Sequence, residues 1–267
     1  MADPRLRLTL GRREFLAAGL PLFFAREARA FGQEGAFHPR VLTTGGVAWT
    51  GPRSTAPGRW AWELVRRTSA PARLVPGQVA ADDPRLLDDP FALWAGDSEM
   101  PPLTTPELGG LRAFLDLGGV LVVDDSDPAK GAFGRAARRE LLRVLPESPL
   151  VRLVGRAGGE VEKEHVIYKS YYLIDRPFGR VEGPPYVEAI VRGRDAQVLF
   201  LQHDLLGALA RAPEGTWRYD MSAGGADQRE YAVRFAVNLS MYVLCSNYKD
   251  DQVHAQALMR RRGRATP

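Results

Sequence analysis

The chain has 267 residues, of which 45% are hydrophobic and 25% are charged. These values exclude a predominantly disordered protein, because disorder requires low hydrophobicity and high net charge. The single cysteine excludes an intramolecular disulfide framework and any metal site built from several cysteines. No apolar run reaches the roughly 18 residues that a membrane-spanning helix needs, so we expect no transmembrane span.

The formal net charge of +4 is concentrated at the two ends of the chain. Residues 1–30 hold six arginines and three carboxylates, and residues 260–264 add four arginines, which leaves a net charge of about −3 for residues 31–259. Because a nucleic-acid-binding domain needs a basic face, we expect no nucleic-acid partner. Residues 251–267 are interpreted as a basic C-terminal tail that is solvated or, alternatively, contacts a membrane surface or a partner.

The first thirty residues have the features of an export signal. Arg12-Arg13 precedes an apolar run at Phe15–Phe24, and the small-residue pattern Ala28-Arg29-Ala30 follows it. This arrangement resembles a twin-arginine signal. We therefore predict that residues 1–30 are removed and that the mature protein, starting at Phe31, is periplasmic or otherwise exported. The alternative is that the segment forms an amphipathic first helix of the domain.

Predicted strands and helices alternate along the first half of the remaining chain. The predicted strands are Phe37–Thr43, Ala72–Pro76, Phe91–Ala95 and Val120–Val123, and the predicted helices are Trp60–Arg67, a helix starting at the Thr104 cap and ending before Gly118, and Ala132–Leu145. The alternation predicts an α/β fold with a doubly wound, mostly parallel sheet, similar to flavodoxin. We assign residues 31–250 to this domain.

The pattern changes after about residue 150. The apolar segments Val187–Val191 and Gln197–Leu201 predict a hairpin, and glycines and prolines between residues 177 and 185 predict a loop. A last helix is predicted at Tyr231–Leu244. Cys245 follows this apolar helix and is predicted to be buried.

Glycines or aspartates follow three of the predicted parallel strands. Gly45 and Gly46 follow the first strand, Asp97 follows the third, and Asp124 and Asp125 follow the fourth. Ligands of doubly wound sheets bind outside the carboxyl ends of the strands. We therefore treat Gly45, Gly46, Asp97 and Asp124 as candidate substrate-binding residues and Asp125 as the first catalytic candidate.

The carboxylates Asp124, Asp125 and Asp127 allow several interpretations. Clustered carboxylates bind a hard metal ion or serve as a general acid or base. Alternatively, one aspartate caps the next helix or turn while the others are solvated. No specific metal or cofactor is assigned from the sequence.

Two histidines are the other catalytic candidates. His165 precedes Tyr168, a candidate substrate-binding residue, and is interpreted as a general acid or base or as a partly buried structural histidine. His203 follows a predicted strand and is adjacent to Asp204. Neighbouring residues of a strand point to opposite faces, so this adjacency alone does not make a catalytic pair. No serine lies in the G-x-S-x-G pattern typical of serine hydrolases.

Several segments, in one order, resemble a known bacterial family. They are Gly118–Asp125 (G-G-V-L-V-V-D-D), Phe133–Glu147, Glu164–Tyr172, Asn238–Tyr242 and Asn247–His254. Together they are similar to the family called domain of unknown function 4159. The last segments include Asn238, which the resemblance makes a candidate substrate-binding residue.

The resemblance implies a fold similar to class I glutamine amidotransferases. In that fold a nucleophilic cysteine lies on the turn after a central strand, and here Asp124-Asp125-Ser126 occupies that turn. Glutamine hydrolysis through a thiolate is therefore not expected. The resemblance also implies partners among AAA-type ATPases and von Willebrand A-domain proteins.

Three functional hypotheses follow. The first is an exported binding or assembly component of the bacterial envelope that lacks the nucleophile. The second is a hydrolase acting on a carbohydrate or an amide through Asp125 with His165 or His203, with or without a metal ion. The third is a structural partner-binding domain that uses the arginines of residues 260–264.

Overall fold

The computed structural model describes residues 35–45, 49–156 and 164–262. One seven-stranded sheet runs through this part of the chain, in the order β2-β1-β3-β4-β7-β6-β5. The strands are β1 (Arg40–Thr43), β2 (Gly77–Ala80), β3 (Phe91–Gly96), β4 (Val120–Asp125), β5 (Leu150–Val154), β6 (Tyr186–Arg192) and β7 (Asp195–Leu201). The pairings from β2 through β7 are parallel, whereas β6 pairs antiparallel with both β7 and β5.

Helices cover both faces of the sheet. The helices are α1 (Ala56–Thr68), α2 (Thr105–Asp116), α3 (Ala132–Val144), α4 (Leu205–Leu209) and α5 (Gly225–Arg262). Helices α1, α4 and α5 pack together on one face, which we call the α5 face, and α2 and α3 pack on the other, the α3 face. The predicted doubly wound, mostly parallel, flavodoxin-like α/β fold is confirmed.

Strand β4 shows how the sheet separates two cores. All six of its residues are buried, as expected for a parallel strand covered on both faces. Val120 and Val122 belong to the core of the α5 face, and Leu121 and Val123 belong to the core of the α3 face. Because side chains alternate along a strand, Asp124 points to the α5 face and Asp125 points to the α3 face.

The start of α2 is fixed by local chemistry, as the sequence predicts. The Thr104 hydroxyl accepts a hydrogen bond from the Glu107 N–H, and the Glu107 carboxylate accepts one from the Thr104 N–H at 2.9 Å. This reciprocal capping box satisfies donors that the first helical turn leaves free. At the other end Gly118 adopts a positive φ of 89°, a conformation that ends helices at low cost.

The strand predicted at Ala72–Pro76 is wrong. Ala72 makes only an isolated bridge to Phe37, and β2 begins after Pro76, at Gly77. Proline has no N–H to donate to a ladder, so regular pairing starts beyond it. Strand β5 was not predicted, because it lies at the sheet edge with Leu150 exposed and lacks a continuous apolar run.

Two expectations at the C-terminal helix are corrected. Helix α5 begins at Gly225 and continues to Arg262, well beyond the predicted Tyr231–Leu244. Cys245 is exposed rather than buried, although Leu244 beside it is buried. Among the described residues, no helix is both long enough and apolar enough to span a membrane.

Candidate functional site

A crevice opens where the strand order reverses. The chain passes from β1 outward to β2 and then returns across β1 to β3, so the carboxyl ends of β1 and β3 diverge. Such switch points are where doubly wound sheets bind ligands. Here the crevice has a volume of about 360 Å³ and is lined by residues that follow β1, β3 and β4.

The crevice walls are rich in hydroxyl and carboxylate groups. Asp97, Ser98 and Glu99 follow β3, and Ser126 follows β4. The Ser126 Oγ is buried and has no hydrogen-bond partner among the described residues. The same is true of the indole N–H of Trp49, another residue that lines the crevice. Unpaired polar atoms in a cleft are the groups with which a ligand makes specific contacts.

The first loop of the crevice is anchored to α2. The N–H of Gly45 donates to the Glu107 carboxylate at 2.7 Å, and Gly45 has a φ of +60°. Glu107 therefore both caps α2 and holds the turn after β1. The other predicted glycine, Gly46, lies outside the described residues.

Asp124 is a buried capping residue. Its carboxylate accepts hydrogen bonds from the N–H groups of Leu205 at 2.9 Å and Leu206 at 2.8 Å, at the start of α4. Burial and the neighbouring Asp204 carboxylate raise the pKa of Asp124 to about 8, against these two donors and Arg53. Asp124 does not line the crevice.

A buried ionic cluster lies beside Asp124, and sequence reasoning missed it. Asp204 is fully buried, adopts a positive φ of 50°, and accepts from Nε and Nη2 of Arg53, both at 2.8 Å. Arg180 donates to the same carboxylate. Arg53 also donates to the Ser126 carbonyl at 3.2 Å and lies over the ring of Tyr219. Local patterns carry no signal for this cluster, because Arg53 and Asp204 are 151 residues apart.

Asp125 caps α3 on the other face of the sheet. Its carboxylate accepts from the N–H groups of Asp127 and Gly134, both at 3.1 Å. Burial raises the pKa of Asp125, and these two hydrogen bonds together with Arg138 oppose the increase. The capping interpretation of the sequence matches this geometry.

His203 is buried against the loop that precedes β6. Its Nε2 lies 2.9 Å from the Pro184 carbonyl oxygen, and its Nδ1 has no partner among the described residues. Burial lowers the pKa of His203 to about 4. The imidazole is therefore neutral at neutral pH, with Nε2 as the donor.

His165 lies at the far edge of the sheet. Its Nδ1 accepts from the Ile167 N–H at 3.3 Å, which caps a short 3₁₀ helix at Val166–Tyr168, and its ring contacts the edge of Tyr242. Burial, and then the nearby Lys169, lower the pKa of His165.

The structure does not bring the three catalytic candidates together. Asp125 bonds the start of α3, whereas His203 is buried against the loop that precedes β6. His165 follows β5, three strands from β4, which is roughly 14 Å across the sheet. Each of the three has other partners, and the described residues contain no group of three or more histidine, cysteine or carboxylate side chains able to hold a metal ion.

Tyr168 and Asn238 also have structural partners. The Tyr168 hydroxyl donates to the Leu153 carbonyl at 2.8 Å and accepts from the Val187 N–H at 3.1 Å. Asn238 is fully buried in α5, and its side chain accepts from the N–H groups of Tyr171 and Tyr172 and donates to the Tyr172 carbonyl. Asn238 therefore clamps this loop to α5.

The family comparison can now be set beside this geometry. The model of the family described as domain of unknown function (DUF4159) matches residues 40–244, which is most of the chain. The chain belongs to this family. No curated protein matches it.

The matched region of this DUF4159 chain spans all seven strands and the crevice. Within it, the Asp124-Asp125 pair at the end of β4 connects the sheet to the starts of α4 and α3. In this chain the paired carboxylates thus hold one helix on each face of the sheet.

Proposed function

We propose that this DUF4159 protein is an exported component of the bacterial envelope that binds a ligand or partner in the switch-point crevice. The observation that carries the proposal is that the polar residues at the carboxyl edge of the sheet have two different roles. Asp124 and Asp125 cap helices, whereas Asp97, Glu99 and Ser126 line the crevice. A crevice with free polar groups and positioned walls suits recognition.

The proposal includes a fold of the class I glutamine amidotransferase type without its nucleophile. Ser126 stands on the turn after β4, where that class carries cysteine, and Cys245 lies on α5 instead. The geometry gives no support to thiolate chemistry at this turn.

Export by the twin-arginine route is the second part of the proposal. It rests on Arg12-Arg13, the apolar run at Phe15–Phe24 and the Ala28-Arg29-Ala30 pattern, with Phe31 as the first mature residue. The family resemblance adds AAA-type ATPases and von Willebrand A-domain proteins as the partners to seek first.

The hydrolase alternative requires Asp125 to reach His165 or His203. Catalytic groups need heavy-atom distances near 3 Å, directly or through one water. The separate partners of Asp125 and His203 favour binding over this alternative.

Fractionation of a bacterial host that produces the full chain tests the export and partner parts together. We expect a periplasmic product that begins at Phe31, and co-purification with an ATPase of the AAA type or a von Willebrand A-domain protein. The charge-preserving double change Arg12→Lys/Arg13→Lys is expected to leave an uncleaved cytoplasmic chain. The matched change Arg5→Lys/Arg7→Lys is expected to be exported normally. Equal export of both double variants would contradict the twin-arginine assignment.

A further inference from the structure

A groove lined by arginines lies on the outer side of the α5 face. It runs between α1, the segment 211–221 and the start of α5, and its volume is about 570 Å³. We call it the arginine groove and define it by Arg59, Arg66, Arg67, Arg211, Arg229 and Trp217. It shares no lining residue with the switch-point crevice.

The acidic residues of the groove do not balance these charges. Glu63 is paired with Arg59 and Arg67, and Glu230 makes a bidentate pair with Arg67 at 2.7 and 2.8 Å. Asp220 is the third acidic residue that lines the groove. The lining therefore has five arginines and three carboxylates, a formal net charge of +2. A net positive cavity attracts anions.

Arg211 and Arg229 form no ion pair with a carboxylate in the described part of the chain. Arg229, only 8% exposed, donates to the carbonyls of Ala208 and Tyr219, both at 2.6 Å. Arg211 donates to the Gly215 carbonyl at 2.7 Å, and its buried Nε has no partner among the described residues.

These two guanidinium groups nonetheless contact the same aromatic ring. Both lie over the ring of Trp217, 3.4 Å from its centroid for Arg211 and 4.3 Å for Arg229. Burial lowers the pKa of each, and a neighbouring arginine lowers it further: Arg59 for Arg211, and Arg211 for Arg229. Glu63 opposes this decrease for Arg211, and Asp220 opposes it for Arg229.

The start of α5 adds to the positive potential. Gly225 and Ala226 line the groove, and the first turn of a long helix presents free N–H groups and the positive end of the helix dipole. The start of α5 and the arginine side chains thus line one cavity.

We propose that the arginine groove binds a phosphate group. A phosphate monoester carries a charge of about −1.5 to −2 at neutral pH, which matches the net charge of the groove. Planar guanidinium groups donate paired hydrogen bonds to phosphate oxygens, and the N–H groups at a helix start donate to the remaining oxygens. The groove is larger than a free phosphate ion, so an ester with a small organic group is expected to bind more tightly than inorganic phosphate.

Calorimetric titration of the full chain with inorganic phosphate and with glycerol phosphate tests the proposal. Sodium chloride at matched ionic strength is the control ligand. We expect saturable binding of both phosphates, with chemical-shift changes at the Trp217 indole N–H. Arg211→Met is expected to weaken binding at least about tenfold, as for a lost charged hydrogen bond. The control Arg112→Met, at an exposed position of α2, is expected to leave it unchanged.

A second variant separates loss of binding from loss of folding. Ala226→Glu places a carboxylate in the first turn of α5, where it favours the helix and occupies the positive groove. We expect a folded protein that no longer binds phosphate. Phosphate affinity unchanged by Ala226→Glu and Arg211→Met would overturn the proposal, as would equal affinity for succinate. Neither result bears on the switch-point crevice.

Discussion

At the scale of single residues, burial controls the charge of the groups at the carboxyl edge of the sheet. His203 has a pKa of about 4 in the folded protein, below its ordinary value of 6.5. Between these values the unfolded chain binds a proton that the folded protein does not. The free energy of unfolding therefore falls as the pH is lowered from 6.5 to 4, by about 3 kcal/mol from this residue.

Asp124 has the opposite effect. Burial and the neighbouring Asp204 carboxylate raise its pKa in the folded protein above the ordinary value of 3.8, so the folded state binds the extra proton. This contribution makes the free energy of unfolding fall as the pH rises above the ordinary value. The wild-type pH profile combines both slopes, and only a variant separates them.

We predict that His203→Gln removes the contribution of this residue to the decrease in the free energy of unfolding between pH 6.5 and pH 4. Glutamine keeps a donor for the Pro184 carbonyl but does not titrate. Urea denaturation at pH 4, 5 and 6.5 is expected to show wild type losing about 3 kcal/mol relative to this variant as the pH falls. His38→Gln, at the amino edge of the sheet, is the control and is expected to retain the His203 slope. Parallel profiles for wild type and His203→Gln would contradict the assignment.

At the scale of elements, the two carboxylates at the end of β4 bond the first turns of two helices. Helix α3 has Gly131 at its N-cap, with no side-chain cap of its own. The Asp125 carboxylate, at the end of β4, accepts a hydrogen bond from the Gly134 N–H in the first turn of α3. Its side chain thus joins the sheet to the helix.

We predict that Asp125→Ala lowers the free energy of unfolding by about 1–3 kcal/mol, the cost of leaving buried donors unpaired. The control is Asp127→Ala, whose side chain is 31% exposed and pairs with an exposed lysine. It is expected to change stability by less than about 0.5 kcal/mol. Guanidinium denaturation followed by tryptophan fluorescence measures both. A fully stable Asp125→Ala protein would contradict the structural role of this carboxylate.

Local patterns predicted the elements that local chemistry determines. The continuous apolar run at Val120–Val123 identified the central strand, and Thr104 with Glu107 identified the start of α2. The hairpin of β6 and β7 was predicted from its two apolar segments, and in the structure Gly193 in its turn has a positive φ of 64°, which glycine adopts easily. Strand β5 was missed because an edge strand with one exposed face has a weak apolar signal.

The sequence predicted where the candidate site lies in the fold but not the roles of its individual residues. The strand-end rule located Asp97 and the crevice, because parallel strands bring their carboxyl ends to one edge. The roles of Asp124 and Asp125 depend on which backbone N–H groups approach them. The Arg53–Asp204 pair depends on tertiary contact alone, so no short pattern in the sequence indicates it.

At the scale of the whole molecule, the buried ionic cluster connects segments that are distant along the chain. Arg53 precedes α1, Arg180 lies in the loop before β6, and Asp204 starts α4. Together they hold the α5 face against the carboxyl edge of the sheet. Arg53 also lines the crevice, so the cluster positions one of its walls.

We predict that Arg53→Met lowers the free energy of unfolding by about 3 kcal/mol, because it removes one partner of a fully buried carboxylate. The control Arg218→Met changes an exposed arginine of the α4–α5 segment and is expected to cost less than about 0.5 kcal/mol. Urea denaturation curves of the two variants give the comparison. Equal stability of Arg53→Met and Arg218→Met would contradict the role of the cluster.

Site-specific photo-crosslinking tests the central claim, that the switch-point crevice is the binding site, most directly. A benzophenone amino acid is placed at Ser98 in the crevice wall or at the exposed Glu147, after α3 at the opposite edge of the sheet. The full chain is produced and irradiated in a bacterial host, and adducts are identified by mass spectrometry. We predict one defined adduct from Ser98, lost in an Asp97→Asn/Glu99→Gln background, and none from Glu147. Adducts of equal yield from both positions, or from Glu147 alone, would contradict the account.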